Sequence, residues 1–135
     1  MFKQDSKTRV LIVDDVADVR QDLRVFLEVV GDFQVVGEAR NGREAIEQAR
    51  ALHPDIVIMD LAMPVLDGYS AATRIKTDLA GCRIAALTVH CTELDRLQAH
   101  AAGFDAFVVK GAPLLELLGA IRPLADETNR ESDRT

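Results

Sequence analysis

The chain has 135 residues, 48% of them hydrophobic, with 22 acidic residues against 16 Lys and Arg and a formal charge of −6. That is enough for one buried core and too little for two ordinary domains, and the acidic balance argues against a nucleic-acid surface, which needs clustered Lys and Arg. No apolar stretch approaches the roughly 18–20 residues of a membrane span and the start Met1-Phe2-Lys3-Gln4-Asp5 is not signal-like, while Cys82 and Cys91 lack CxxC spacing, so a soluble cytoplasmic protein with two reduced, buried thiols is expected.

Residues 1–8 read as an N-terminal extension. Val10-Leu11-Ile12-Val13 then forms an apolar run closed by Asp14 and Asp15, the pattern of a buried parallel strand. Val16, Val19, Leu23, Phe26, Leu27 and Val30 recur at helical steps, and Gly31 can end that helix. Residues 33–37 predict a second strand. Asn41-Gly42-Arg43-Glu44 has the capping-box pattern of a helix start, with Ala45, Ile46, Ala49 and Leu52 as its apolar stripe. Pro54 resets the chain for Ile56-Val57-Ile58-Met59, which Asp60 closes. After the loop 63–68, a helix turns Ala71, Ala72, Ile75 and Leu79 inward, and residues 82–88 predict a fourth strand ending at Thr88. Thr92-Glu93-Leu94-Asp95 resembles a capped start, Gly103 ends that helix, and Ala106-Phe107-Val108-Val109 makes a fifth strand that stops at Lys110. The last helix is expected from near Pro113 to at or before Pro123, with Leu114, Leu117, Leu118 and Ile121 on one face. Residues 125–135, almost devoid of apolar side chains, read as a disordered tail or the start of a linker.

Five strand-then-helix units in strict alternation imply a doubly wound five-stranded parallel sheet with helices on both faces. Asp14, Asp15 and Asp60 would then share the carboxyl edge, where open α/β sheets bind ligands. Acids gathered there repel one another unless a cation joins them, and a hard divalent ion with oxygen ligands suits them.

Asp14-Asp15, Asp60 within Met59-Asp60-Leu61-Ala62-Met63-Pro64-Val65-Leu66-Asp67-Gly68, Thr88 and Lys110, in that order at strand ends, resemble the receiver domain of bacterial two-component response regulators. The likeness covers residues 9–124. The segments 35–42 and 86–90 are most similar to receivers of the branch that carries a helix-turn-helix output. The resemblance implies a flavodoxin-like (βα)5 fold with strand order 2-1-3-4-5. It also implies that Asp60 accepts a phosphoryl group from a sensor histidine kinase or histidine phosphotransfer protein. Mg²⁺ or Mn²⁺ would be held by Asp14, Asp15, Asp60 and the backbone carbonyl of Ala62, Asp14 acting through water. Lys110 and the Thr88 hydroxyl would meet phosphoryl oxygens, and Thr88 and Phe107 would switch the face of the fourth helix, fifth strand and fifth helix to control an output such as transcription. A homodimer through that face or through the first and fifth helices is a possible arrangement, and the acidic balance and lack of a long apolar stretch lead to an expectation of no direct nucleic-acid or membrane contact. The protein would be an enzyme only in the sense of phosphorylating itself from a donor and slowly losing that group.

Structural readings stand beside these. A helix cap or loop cap explains any one of the acids, though not all three together with Lys110. Thr88 is an ordinary strand residue, and Phe107 can simply fill the core. Val89 replaces the small residue usual after the Thr, Ala62 opens space two beyond Asp60, and His90 lies near both, so these three are candidates for tuning access. Lys110-Gly111 replaces a frequent Lys-Pro, which removes the reason to expect a cis peptide. Val25 and Val29 fall off the core face of the first helix, and Gly119-Ala120 leaves a small stretch on the last. A flavin carrier would need a phosphate loop where Asp14-Asp15-Val16-Ala17-Asp18 stands, and a haloacid-dehalogenase-type phosphatase expects Asp at 62. The remaining competitor is a receiver-shaped interaction module that works without phosphorylation.

Overall fold

Apolar runs and amphipathic stretches alternate along the chain, and in the computed structural model each run becomes a strand and each stretch a helix. The structure describes residues 7–89 and 92–134, and for 127–134 the backbone only. Most of the 1–8 extension, together with His90 and Cys91, lies outside the described residues. The order is β1 (Arg9–Val13), α1 (Ala17–Val29), β2 (Gln34–Ala39), α2 (Gly42–Leu52), β3 (Ile56–Asp60), α3 (Gly68–Asp78), β4 (Arg83–Thr88), α4 (Glu93–Ala102), β5 (Ala106–Val109) and α5 (Leu114–Arg134). The strands pair in parallel in the order 2-1-3-4-5.

Both faces of the sheet are covered, which is why the central strands are apolar throughout rather than alternating. Val10, Ile12, Ile56 and Ile58 pack against Leu23 and Leu27 of α1 and Leu117, Leu118 and Ile121 of α5. On the other face, Leu11, Val13, Val57 and Met59 meet Ala45 and Ala49 of α2, Ala71, Ala72 and Ile75 of α3, and Ala99 of α4. Cys82 is a buried free thiol, and burial pushes its pKa up to about 12. Val25 and Val29 are exposed, as their helical phase requires.

Helix starts follow the capping chemistry. Thr92 and Asp95 form a complete reciprocal box at α4. At α2, Asn41 accepts the Glu44 N–H at 2.9 Å, but the Glu44 carboxylate takes the Arg40 N–H at 3.1 Å, one residue outside the expected box. Asp67 caps α3 by accepting the Ser70 N–H at 2.9 Å. Gly103 ends α4 in the left-handed region, and all described peptide bonds are trans, including Lys110–Gly111.

The end of the chain corrects the sequence reading. Pro123 does not stop α5, which continues to Arg134 through the segment expected to be a disordered tail. The lost Pro123 N–H would have met the carbonyl of Gly119, and both residues lie on the exposed side where water can serve that carbonyl. Gly119 also has open space around its Cβ position, so the backbone can adjust to the proline ring there.

Candidate functional site

Strand register assembles the site. Val13 pairs with Met59, so Asp14 and Asp60 stand level at the carboxyl ends of β1 and β3, the two strands between which the sheet reverses its winding. Asp60 pairs with Leu87, Thr88 comes one residue later, and Thr88 in turn faces Val109, which Lys110 follows. One ligand atom from each of Asp14, Asp15 and Asp60 can be chosen so that all lie within 4.8 Å of one another.

Asp14 and Asp60 are buried, while Asp15 is exposed. Lys110 Nζ lies 2.7 Å from Asp14 Oδ2 and 3.2 Å from Asp60 Oδ2. Val16 N–H donates to Asp14 Oδ1 at 2.9 Å, and Ala62 N–H to Asp60 Oδ1 at 3.2 Å. Burial pushes the Asp60 carboxyl above its ordinary range; the Ala62 N–H and Lys110 oppose this and the Asp14 charge adds to it. Burial works to lower the Lys110 pKa, but its contacts with Asp14 and Asp60 outweigh that and hold it above the usual lysine value.

The donor set fits a hard cation. All three side chains offer carboxylate oxygens, and Asp14 Oδ2 is buried without a hydrogen bond of good angle, its approach to Lys110 being an ion pair only. Three clustered carboxylates, two of them paired with the same Lys110 ammonium, leave a surplus of negative charge that Mg²⁺ or Mn²⁺ can neutralise with oxygen ligands.

The loop leaving β3 is fixed by two glycines. Gly42 N–H donates to Leu66 O at 3.0 Å and Gly68 N–H to Leu61 O at 3.0 Å. A Cβ on Gly42 would strike the Leu66 carbonyl, and one on Gly68 would come 2.5 Å from Asp60 O. Between them Pro64 O accepts from Leu66 N at 2.8 Å across Val65, whose φ is 72°.

Thr88 is buried, and its carbonyl accepts the Lys110 N–H at 2.6 Å. Ala62 and Val89 are exposed on loops at this edge. Phe107 is half-buried against the core, with the Arg96 guanidinium of α4 5.1 Å from its ring centre. Neither Arg20 nor Glu38 was singled out by the sequence, yet Arg20 Nη1 donates to Asp14 O at 2.6 Å and its Nε to Glu38 Oε1 at 2.9 Å. The available signal was a cation one turn into α1 and a lone acid after the Val35-Val36-Gly37 run of β2.

Residues 10–122 match the family model of the response regulator receiver domain. The chain belongs to that family. The receiver is 37% identical over 114 residues to response regulator protein VraR of Staphylococcus aureus, covering 84% of this chain and 54% of that protein. It therefore spans about half the length of the curated relatives it matches. A LuxR-family two-component response regulator from Aurantimonas sp. SI85-9A1 superposes with a TM-score of 0.85 at 34% identity, over 90% of this chain and 87% of that one. The response regulator domain of Thermotoga maritima CheB gives 0.72 at 31% identity, over 95% of each chain. No described helix is long and apolar enough to cross a membrane.

Proposed function

We propose that this receiver accepts a phosphoryl group on Asp60 from a phosphohistidine of a sensor kinase or phosphotransfer protein in the cytoplasm. The observation that carries the reading is the Asp60 carboxylate at a strand end, beside Lys110 and level with two further carboxylates. In the transfer, an Asp60 oxygen bonds to phosphorus as the N–P bond breaks, and the imidazole leaves with the electron pair. An anion attacking an anionic phosphoryl group needs neutralisation more than covalent assistance. Mg²⁺ or Mn²⁺, held by Asp14 through water, by Asp15, by Asp60 and by the Ala62 carbonyl, would supply part of that neutralisation. Lys110 exchanges its contact with Asp60 for a phosphoryl oxygen, and the Thr88 hydroxyl bonds another. Beyond this self-directed reaction and slow loss of the group, the receiver is not an enzyme.

Thr88 and Phe107 couple the site to the α4–β5–α5 face, whose exposed Leu94 and Leu97 suit a partner or a second copy. The exposed Val25, Val29 and Leu115 give α1 and α5 a comparable surface. A hollow of about 300 Å³, lined by Val19, Leu23, Val109, Lys110, Pro113 and Leu114, opens beside Lys110 where a phosphodonor protein can seat. The output is transcription, through an attached or partner domain, in keeping with the LuxR-family likeness.

Intact mass after incubation with a small phosphodonor and Mg²⁺ tests the reading. One added phosphoryl group, absent in Asp60→Asn and in EDTA, is the expected result. No adduct, with a phosphohistidine protein as donor as well, would instead indicate a module that binds partners without phosphorylation.

A further inference from the structure

An arginine on α1 reaches the acidic edge from behind. Arg20 spends Nη1 on the Asp14 carbonyl at 2.6 Å and Nε on Glu38 Oε1 at 2.9 Å. Glu38, on β2, accepts Arg24 Nε on its other oxygen at 2.8 Å. One carboxylate thus holds two guanidinium groups, and the one nearer the site is the more enclosed, 16% exposed against 32%.

Three polar atoms of Asp14 are hydrogen-bonded and the fourth, Oδ2, has only its ion pair. The Asp14 N–H donates to Ala39 O at 3.0 Å, Oδ1 accepts from Val16, Oδ2 faces Lys110, and the carbonyl takes Arg20. The carbonyl contact is the one that bears on Asp15. Because a peptide is planar, fixing the Asp14 C=O fixes the plane that carries the nitrogen and Cα of Asp15. Asp15 is exposed, so its place beside the other carboxylates is set by this backbone rather than by packing around its side chain.

We propose that Arg20 is a positioning residue for the cation site: oriented by Glu38, it grips the Asp14 carbonyl, fixes the Asp14–Asp15 peptide and so presets the Asp15 carboxylate beside Asp14 and Asp60. This rests on the receiver reading given above. Arginine suits the task because its planar fork serves a carbonyl and a carboxylate at once, whereas a lysine ammonium is a single flexible point. Arg24 shares Glu38 and approaches Glu28 at 4.0 Å, so it supplies a matched control for loss of the ion pair alone.

The test is calorimetric titration of the 135-residue chain with Mg²⁺, alongside thermal unfolding in EDTA, for Arg20→Gln, Arg20→Lys and Arg24→Gln. Arg20→Gln is expected to weaken Mg²⁺ binding by about 10- to 100-fold, the range seen when partners behind metal ligands are removed. Arg20→Lys, which keeps a cation for Glu38 and therefore its fold, falls between. Arg24→Gln loses comparable thermal stability and binds Mg²⁺ like the parent. In phosphorylation assays, the half-saturating Mg²⁺ concentration rises in Arg20→Gln while the rate at saturating Mg²⁺ is retained. Parent-like affinity in Arg20→Gln, or losses in both arginine variants that merely track stability, would overturn the proposal. A parent chain that binds no Mg²⁺ would remove the proposed phosphoryl-acceptor function along with it.

Discussion

Val65 turns the chain between Pro64 and Leu66 with φ at 72°, a conformation that crowds a β-branched side chain, and the residue is 74% exposed. Holding a residue there costs about 1–3 kcal/mol, whereas a glycine loses only about 0.5–1 kcal/mol more backbone freedom on folding. Little burial is at stake, so Val65→Gly is expected to raise stability by about 1 kcal/mol in urea unfolding. A fall would show that the turn is not strained. The same turn illustrates what single residues reveal. Asp14, Asp15, Asp60, Thr88 and Lys110 were legible because each closes an apolar run, and run ends are visible in one dimension. The positive φ at Val65 was not, since valine gives no turn signal. The Arg20–Glu38 pair was also hidden, because it depends on where β2 lies against α1.

At the scale of an element, α5 shows a local rule overridden. Proline inside a helix costs about 3 kcal/mol through a lost hydrogen bond and a clash with the carbonyl four residues back, which made Pro123 look like a terminus. What outweighs it is burial on both sides of the break: Leu117, Leu118 and Ile121 before it and Leu124 and Ala125 after it all join one core cluster. Burying such side chains contributes about 1.5–3 kcal/mol each for the larger ones, enough to carry the helix through. Pro123→Ala restores the N–H for Gly119 O and removes few contacts, since Pro123 is exposed. The variant should gain about 2 kcal/mol after the greater freedom of its unfolded chain is subtracted, with added helical circular dichroism. An unchanged or lower stability would mean that the proline ring is needed at that bend. The α4 start, in contrast, was fully legible, because Thr92 and Asp95 cap through contacts only three residues apart.

At the scale of the whole molecule, electrostatics links the edges of the sheet to its acid cluster, and two titrations separate the parts. Burial works to raise the Glu38 carboxyl, but Arg24 and Arg20 outweigh it and hold it below its ordinary value. A depressed carboxyl contributes stability that is fully present above its unfolded pKa of about 4.3 and is lost as pH falls through the folded value. The stability gap between the parent and Glu38→Gln, about 1 kcal/mol at pH 7 for two partly exposed pairs, should therefore stay level down to about pH 5 and close in acid. A gap that persists unchanged at pH 3 would assign it to packing. The acid cluster is expected to respond to metal instead. A cation that binds only the folded chain stabilises it by about 2.7 kcal/mol at a hundred times its Kd, whereas screening of the −6 charge depends on ionic strength alone. MgCl₂ should raise the unfolding midpoint above that in NaCl of equal ionic strength. Asp15→Asn should abolish the difference and leave the NaCl midpoint at or above the parent's, because Asp15 is exposed, removes no core contact and no longer repels Asp14 and Asp60. An equal Mg²⁺ effect in that variant would show that the ion acts on the chain's overall charge and that the juxtaposition of Asp14, Asp15 and Asp60 does not select it.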